Sequence, residues 1–558
     1  MKQVSVRVID EAWFNRLLEV VPGLVTWLTL LSPVLLSLVE PVWVAYFIIA
    51  YDLYWMVKSF RLSINLIRGY KALHAAQRVN WNERLEWVRK PDKFLEQTTS
   101  QIEHMIRTKP QIAKWWYRNP TEKRRYERLV HEQSLLRQLV EHKNTAMVPD
   151  EIYHAVILAF YNESIDILEP SVRSLTQTDY PAKRLLLVIA YEERGGEQTE
   201  ATAKELIRRY GDQFGMAMAI KHPNGTLGEV IGKGGNITYA GRRLAAAVEK
   251  RGIRPEQVVV TTFDADHRAH KNYFSYLTYL YTTDPNRIHK SYQPIPMFYN
   301  NIWDVPAPMR VIATGNSFWL LMETMRPHRL RNFAAHAQPL RALIDTDFWS
   351  VTTIVEDGHQ FWRTYFVYDG DHEVVPVFTP VYQDAVLAST YLKTFKVQFL
   401  QLRRWAWGVS DFPYVVRNSL ANRRIPWSNK LVQIGRLFEG HFSWATAPLI
   451  LTFVAWMPLY LNHQFSYQAL AHNLPIITSR ILTLASVTIA ITIFVSLISL
   501  PPKPARYRGI RFVVMILQWA LLPVTSMCFS AFAAINAQTR LMFGRYLEFY
   551  VTEKATKK

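Results

Sequence analysis

Apolar positions crowd the two ends of the chain, while the middle alternates short apolar runs with polar stretches of helical spacing. Residues 21–38 form one apolar run, Glu40 and Pro41 interrupt it, and residues 42–57 form a second. Each approaches the roughly 20 residues a helix needs to cross a hydrocarbon core about 30 Å thick. With so short a link, residues 1–58 are expected to form a transmembrane hairpin. No small-residue cleavage site follows the first run, which argues against a removed leader. Three further runs, 442–461, 476–500 and 512–535, read as spans of a C-terminal membrane region, 441–535.

Lysine and arginine give these spans a direction. Arg16 precedes the hairpin and Lys58, Arg61 and Arg68 follow it, so both of its ends are expected in the cytoplasm. The link 462–475 has no Lys or Arg, whereas 501–511 has Lys503, Arg506, Arg508 and Arg511, placing the first outside and the second inside. The prediction is a multi-pass protein of the cell membrane with residues 59–440 in the cytoplasm. One conflict stands. A third complete crossing would carry the basic tail, 536–558, with Arg540, Arg545, Lys554, Lys557 and Lys558, to the outside.

Between the membrane regions the texture changes twice. Residues 59–150 carry 18 Lys and Arg against 10 Asp and Glu, with Trp81, Trp87, Trp115 and Trp116 interspersed and helical spacing over 126–140. This is expected to be a basic juxtamembrane helical segment drawn to the head groups of membrane lipids. From 151 to 410, runs rich in Val, Ile and Leu at 154–160, 185–190 and 258–263 alternate with helical stretches at 201–210 and 236–250. Strands alternating with helices predict a parallel-type sheet covered on both faces, with ligands at the carboxyl ends of its strands. Residues 411–440 are assigned to membrane-interface helices.

Composition narrows this further. The chain is 49% hydrophobic over 558 residues, which excludes disorder as the dominant state. Its net charge of +19 suits either nucleic acid or a cytoplasmic membrane face, and the apolar runs decide for the membrane, without nucleic acid. Cys528, the one cysteine, lies in an apolar run, so disulfides and a cysteine-built zinc site are excluded.

Four short motifs carry chemistry. Asp264-Ala265-Asp266 follows the run 258–263. Two aspartates one residue apart at a strand end suit Mg²⁺ or Mn²⁺, hard cations that keep substrate phosphates and waters as their other ligands. Gly232-Lys233-Gly234-Gly235-Asn236 precedes a helical stretch. Glycine admits close backbone approach, a helix N-terminus favours anions, and Lys233 adds a positive charge for phosphate. The spacing is not that of a Walker A loop. Glu356-Asp357-Gly358-His359 supplies Asp357 as candidate general base for a sugar hydroxyl, a poor nucleophile without one. His359 either orients a ligand or bonds within the fold. In Gln401-Leu402-Arg403-Arg404-Trp405 arginine suits a diphosphate and the indole a sugar face, unless Arg-Arg-Trp is an interfacial anchor.

In this order, with Tyr161-Asn162-Glu163 after the first strand and apolar spans on both sides, the motifs resemble those of the processive family 2 glycosyltransferases. That family includes bacterial cellulose, chitin and hyaluronan synthases, and the resemblance covers roughly residues 154–408 and the flanking spans. It implies an α/β GT-A fold, a Rossmann-like mixed sheet covered by helices, inserted between transmembrane segments. It also implies a nucleotide-sugar donor, usually UDP-linked, and Mg²⁺ or Mn²⁺. By motif, Asp264 would contact the nucleotide, Asp266 the metal and Lys233 the diphosphate, with Glu163 also on the donor side. Asp357 would be the general base, and Gln401, Arg404 and Trp405 would hold donor phosphate and acceptor. Where the family reads the base with an aspartate, this chain has Tyr191-Glu192-Glu193, so Glu192 or Glu193 takes that place. Thr314-Gly315-Asn316-Ser317 stands where cellulose synthases carry an aromatic, cysteine-containing motif, which points away from cellulose. The implied reaction is an inverting single displacement onto a growing glycan, or else onto one lipid acceptor, a polyprenyl phosphate or diacylglycerol. The remoter reading is a non-catalytic nucleotide-binding membrane protein.

Overall fold

The structure, a computed structural model, describes residues 12–114, 116–143, 147–507 and 509–550. Trp115, Arg508, Lys554, Lys557 and Lys558 of the sequence reading lie outside these residues. Helix α1 (Ala12–Val39) and helix α2 (Pro41–Arg78) are separated by Glu40 alone. Pro41 opens α2, where a missing N–H costs nothing. Past its apolar first half α2 runs on unbroken as a shaft. Its Leu66 and Leu73 pack against Phe318 and Leu321. Gly69 permits this approach, since a Cβ there would lie 2.7 Å from the Leu321 carbonyl oxygen.

The central unit is built on one sheet. Its strands are β1 (Tyr153–Phe160), β2 (Leu185–Glu192), β3 (Met216–His222), β4 (Val258–Asp264), β5 (Arg268–Ala269), β6 (Lys290–Met297), β7 (Ala337–Pro339) and β8 (Glu373–Tyr382). The order is β3-β2-β1-β4-β7-β6-β8-β5. The pairs β1–β2, β1–β4 and β2–β3 are parallel, as the alternation of apolar runs and helices predicts. β7 runs antiparallel to β4 and β6, and β5 antiparallel to β8, so the sheet is mixed. Successive β1 residues point to opposite faces. Val156, Leu158 and Phe160 join one core with Leu168, Val172 and Leu206, whereas Ala155, Ile157 and Ala159 join another with Ile237, Ala240 and Leu244. Helices on both faces explain why these strands are apolar throughout rather than alternating.

Four helices frame the carboxyl edge: α3 (Lys233–Glu249), α4 (Ala307–Thr324), α5 (Glu356–Val367) and α6 (Tyr391–Ala406). The basic segment is helical as expected, at Trp81–Arg89, Pro91–Thr108 and Pro120–Glu141, and Trp81 stacks on Tyr276 at 3.8 Å. The C-terminal region contains α7 (Trp427–Phe453), α8 (Ala469–Ser499) and the segmented helix α9 (Ile510–Met542). Of the expected interface segment, Asp411–Ala421 is a helix of its own, whereas residues 427–440 are continuous with the following span in α7.

Among the described residues four helical stretches are long and apolar enough to cross a membrane: α1, α7 with its continuation to Leu461, α8 and α9. The fifth expected span, 42–57, is the apolar half of α2, and Asp52 interrupts it. α2 and α8 run side by side in the same direction, Ala45 near Leu474 and Leu66 near Val495. Asn462 donates to the Leu38 carbonyl at 3.2 Å, so the turns after α1 and α7 share the end of the bundle far from the sheet.

The last helix departs from the expectation of a third crossing. At its start Arg511 donates to the Trp303 carbonyl (2.8 Å), and Arg506 pairs with Asp304 (2.6 Å). At its end Arg16 donates to the carbonyls of Leu541 (2.7 Å) and Met542. Asn15, beside Arg16, accepts from Arg417 at 2.9 Å. Both ends of α9 therefore lie against the central unit. Pro523 and a π-helical turn at Ser526–Ala531 break its regular geometry, which hydropathy alone does not register. Arg540 and Arg545 thereby stay on the side of the central unit.

Candidate active site

Three elements converge at the carboxyl edge of the sheet. β4 ends on Asp264, α3 opens on Lys233, and α5 opens on Glu356 and Asp357. The Lys233 ammonium lies 2.8 Å from Asp264 Oδ1 and 3.9 Å from Asp357 Oδ1. A Cβ on Gly234 would sit 2.4 Å from the Ser350 carbonyl oxygen, so only glycine lets the first turn of α3 press this close to the loop before α5.

Two histidines steady the carboxylates. His267 Nδ1 accepts the Asp264 N–H at 3.1 Å, which leaves the proton on Nε2, 3.5 Å from Asp264 Oδ2. His336 Nε2 accepts from the Trp349 indole at 3.1 Å, so its proton sits on Nδ1, 2.9 Å from the Phe333 carbonyl and 3.4 Å from Asp357 Oδ1. Burial pushes the His336 pKa down, against the pull of Asp357. Sequence reading missed His336, because nothing around it in Ala334–Gln338 marks a site.

The charge balance is cation-seeking. Burial works against the Lys233 ammonium, yet Asp264, Asp357 and Glu356 more than offset it and hold its pKa above the usual lysine range. Glu356 is 3% exposed, and burial followed by the Asp357 charge pushes its carboxyl well above the ordinary range, with Lys233 and Arg404 opposing. Such a carboxyl costs stability above its unfolded pKa and none below it. Glu356→Gln is therefore expected to raise the melting temperature more at pH 8 than at pH 5, read by a thermal scan of the intact protein at both.

Among the described residues no three His, Cys, Asp or Glu side chains form a protein-only metal cage. Asp264 and Asp266 fit a hard divalent cation nonetheless, since Mg²⁺ is commonly held by one or two carboxylates plus substrate phosphates. Asp266 is 4% exposed, its carboxylate accepts the Asp384 N–H at 2.7 Å, and its carbonyl accepts from Asn300 at 3.0 Å. Its orientation is thus fixed in advance.

The remaining sequence candidates fall into two groups. Arg404 of α6 reaches the charge field of Glu356 and lies over the Phe549 ring at 4.8 Å. Its neighbours on α6 are turned to packing: Gln401 accepts from Gln398 at 3.1 Å, and half-buried Trp405 lies 6.4 Å from the Phe298 ring. At the ends of β1 and β2, Glu163 accepts the N–H groups of Tyr161 (2.9 Å) and Asn162 (3.2 Å). Glu192 pairs with Arg194, whose guanidinium lies over the Tyr161 ring at 4.2 Å, and Glu193 accepts the Asn224 N–H at 3.0 Å. His359 bonds within the fold, 2.7 Å from Asp411, which is the plainer of its two readings. On α4, Gly315 faces open space, while Ser317 accepts the Phe298 N–H at 3.4 Å.

The C-terminal tail enters the site, which the sequence reading did not foresee. Phe549 lies against Gly232, 3.5 Å from where a Cβ would stand, as well as against Arg404. Leu547 and Phe549 pack with Ile354, Val355 and Trp407, and Tyr546 donates to Glu19 of α1 at 3.0 Å.

No protein-family model matches the chain, and no curated protein sequence matches it. Among solved structures it is similar to the mannosyltransferase PcManGT from Pyrobaculum calidifontis, in complex with GDP-Man and Mn²⁺, at 12% identity and a TM-score of 0.37 over 70% of this chain and 88% of that one. GalNAc-T7 with UDP, GalNAc and Mn²⁺ matches at 12% identity and a TM-score of 0.31 over 52% of this chain and 58% of that one. TarS of S. aureus matches at 12% identity and 0.27 over 61% and 55%.

Proposed function

We propose that the chain is a membrane-embedded, inverting glycosyltransferase that moves a sugar from a nucleotide-sugar, UDP-linked by the resemblance, onto a growing glycan. One observation carries this reading: Lys233 at a helix N-terminus, between Asp264 at a strand end and Asp357 at the start of a second helix. A diphosphate leaving group needs positive charge, and Lys233 and Arg404, which both act on Glu356, would supply it. A divalent cation held by Asp264 and Asp266 would neutralise that diphosphate further. Asp357 takes the proton of the acceptor hydroxyl as that oxygen attacks the anomeric carbon from the face opposite the leaving group. His336 and Lys233 fix the carboxylate for this. Glu163, Glu192 or Glu193, and Gln401 are assigned to the donor and Trp405 to the acceptor by the resemblance, although Gln401 and Trp405 make packing contacts within the chain.

The central unit is placed on the cytoplasmic side, where Lys58 and Arg61 leave the membrane and where activated sugars are made. The small number of crossing helices supports a second reading, transfer of one sugar to a lipid acceptor. Incubation of membranes with radiolabelled donor separates the two. A high-molecular-weight glycan supports the first, a single sugar extracted with lipid the second, and no labelled product in either fraction sinks both.

Phe549 between Gly232 and Arg404 is expected to help enclose the donor diphosphate. Phe549→Ala should raise the donor KM roughly three- to tenfold, the scale of one cation–π contact, with a smaller change in kcat. Initial rates over a donor titration read this, and an unchanged KM would remove the tail from the site.

A further inference from the structure

A second concentration of charge lies away from the catalytic carboxylates, where α2 and α7 leave their apolar stretches. Lys58 and Arg61 stand on α2 just after residues 42–57, and Arg436 and Glu439 on α7 just before residues 442–461. Between them runs the connection that follows α4, bearing Arg326, His328, Arg329 and Arg331.

The cations hold one another at close quarters. Arg329 and Lys58 both pair with Glu439, at 2.8 and 2.7 Å, and Arg326 pairs with Glu323. Arg436 spends one N–H on the His328 carbonyl at 2.7 Å. Arg331 donates to Gln433 at 2.5 Å and lies over the rings of Phe361 (4.1 Å) and Trp362 (4.9 Å). Six cationic side chains thus face two carboxylates. Burial, then the charges of Arg436 and Arg329, pushes the Arg331 pKa down to about 9, while burial, with Arg329 and Arg61 opposed by Glu323, lowers Arg326. The buried Arg326 Nε has no hydrogen-bond partner. Guanidinium groups crowded against their own repulsion gain most from a multivalent oxyanion, and phosphate matches their planar fork.

We propose that Arg326, Arg329, Arg331 and Arg436 form a phosphate-binding site at the membrane face, filled by the phosphate of an anionic lipid. This rests on the membrane placement proposed above and not on the transfer chemistry. The site lies level with Lys58 and Glu439, where the apolar stretches of α2 and α7 give way to charge and lipid phosphates would stand. Arg331 packs on Phe361 and Trp362 of α5, the helix that carries Asp357, so a bound lipid would brace the catalytic helix from its membrane side.

The test uses the full chain in nanodiscs and no nucleotide-sugar, so its outcome is independent of the glycosyltransferase reading. Three preparations are compared: phosphatidylcholine alone, phosphatidylcholine with phosphatidylglycerol, and phosphatidylcholine with millimolar inorganic phosphate. Native mass spectrometry reads the lipid retained, and thermal scans read stability. The wild type is expected to retain phosphatidylglycerol over phosphatidylcholine by at least about tenfold, the scale of charge-assisted contacts to one anion. The double variant Arg326→Gln/Arg329→Gln should lose that preference, and because it also breaks the pairs with Glu323 and Glu439 its melting in phosphatidylcholine alone serves as its own baseline. Arg436→Gln, at a more exposed position, should lower it partially. Stabilisation by inorganic phosphate without retained phosphatidylglycerol would overturn the lipid source. Equal retention by wild type and double variant, or no preference in the wild type, would overturn the site. Failure of the chain to enter nanodiscs would instead overturn the membrane placement.

Discussion

Asp357→Asn should lower kcat by about 10²- to 10⁴-fold, the usual contribution of a general base, while leaving the donor KM within a few-fold of wild type. The side chain keeps its shape, so the packing beside His336 and Lys233 survives the change. Only proton acceptance is lost, since an amide oxygen cannot take the hydroxyl proton as the carboxylate does. Because Lys233 lies 2.8 Å from Asp264 and 3.9 Å from Asp357, removing the second charge leaves the lysine anchored by the first. Nucleoside diphosphate release in membranes reads the loss. A wild-type rate in the variant would move the base elsewhere, with Glu356, its neighbour on α5, next in line.

The second large effect concerns the divalent cation. Chelation is expected to abolish donor turnover, and readdition of Mg²⁺ or Mn²⁺ to restore it. Asp266→Asn should raise the metal concentration for half-maximal rate by roughly 10- to 100-fold, the usual cost of disturbing a metal site. The Asp384 N–H donates to the Asp266 carboxylate at 2.7 Å and fixes its direction. An asparagine must keep its oxygen on that N–H and turn its NH₂ group toward the cation position. Turnover that persists undiminished in excess chelator would exclude the cation from the reaction.

Much of this was legible in the chain, and the gaps have physical causes. β1, β2 and β4 announce themselves because they are buried on both faces and read as runs rich in Val, Ile and Leu. β5 and β7, which make the antiparallel pairs, are two and three residues long, too short for any periodicity, so those pairings were invisible. Lys233, Asp264 and Asp357 could be chosen because each ends or begins an element that the sequence does show. His336 could not, because its role depends on Trp349 and Phe333 arranging its tautomer across a fold not yet formed. Hydropathy found α9 but not its return, which rests on Arg16 reaching carbonyls more than 500 positions away. The same contact explains why the tail, read as a stray basic end, instead brings Phe549 to Arg404.

If Lys233, Asp264 and Asp357 form the active site, the chain binds and cleaves a nucleotide-sugar. The most direct measurement is nucleoside diphosphate release by the purified full chain in lipid, with Mg²⁺ or Mn²⁺, across a panel of UDP- and GDP-sugars. The account predicts release from at least one donor, with the metal required. A folded, membrane-inserted chain that releases no nucleoside diphosphate from any of them, and binds none, would contradict it.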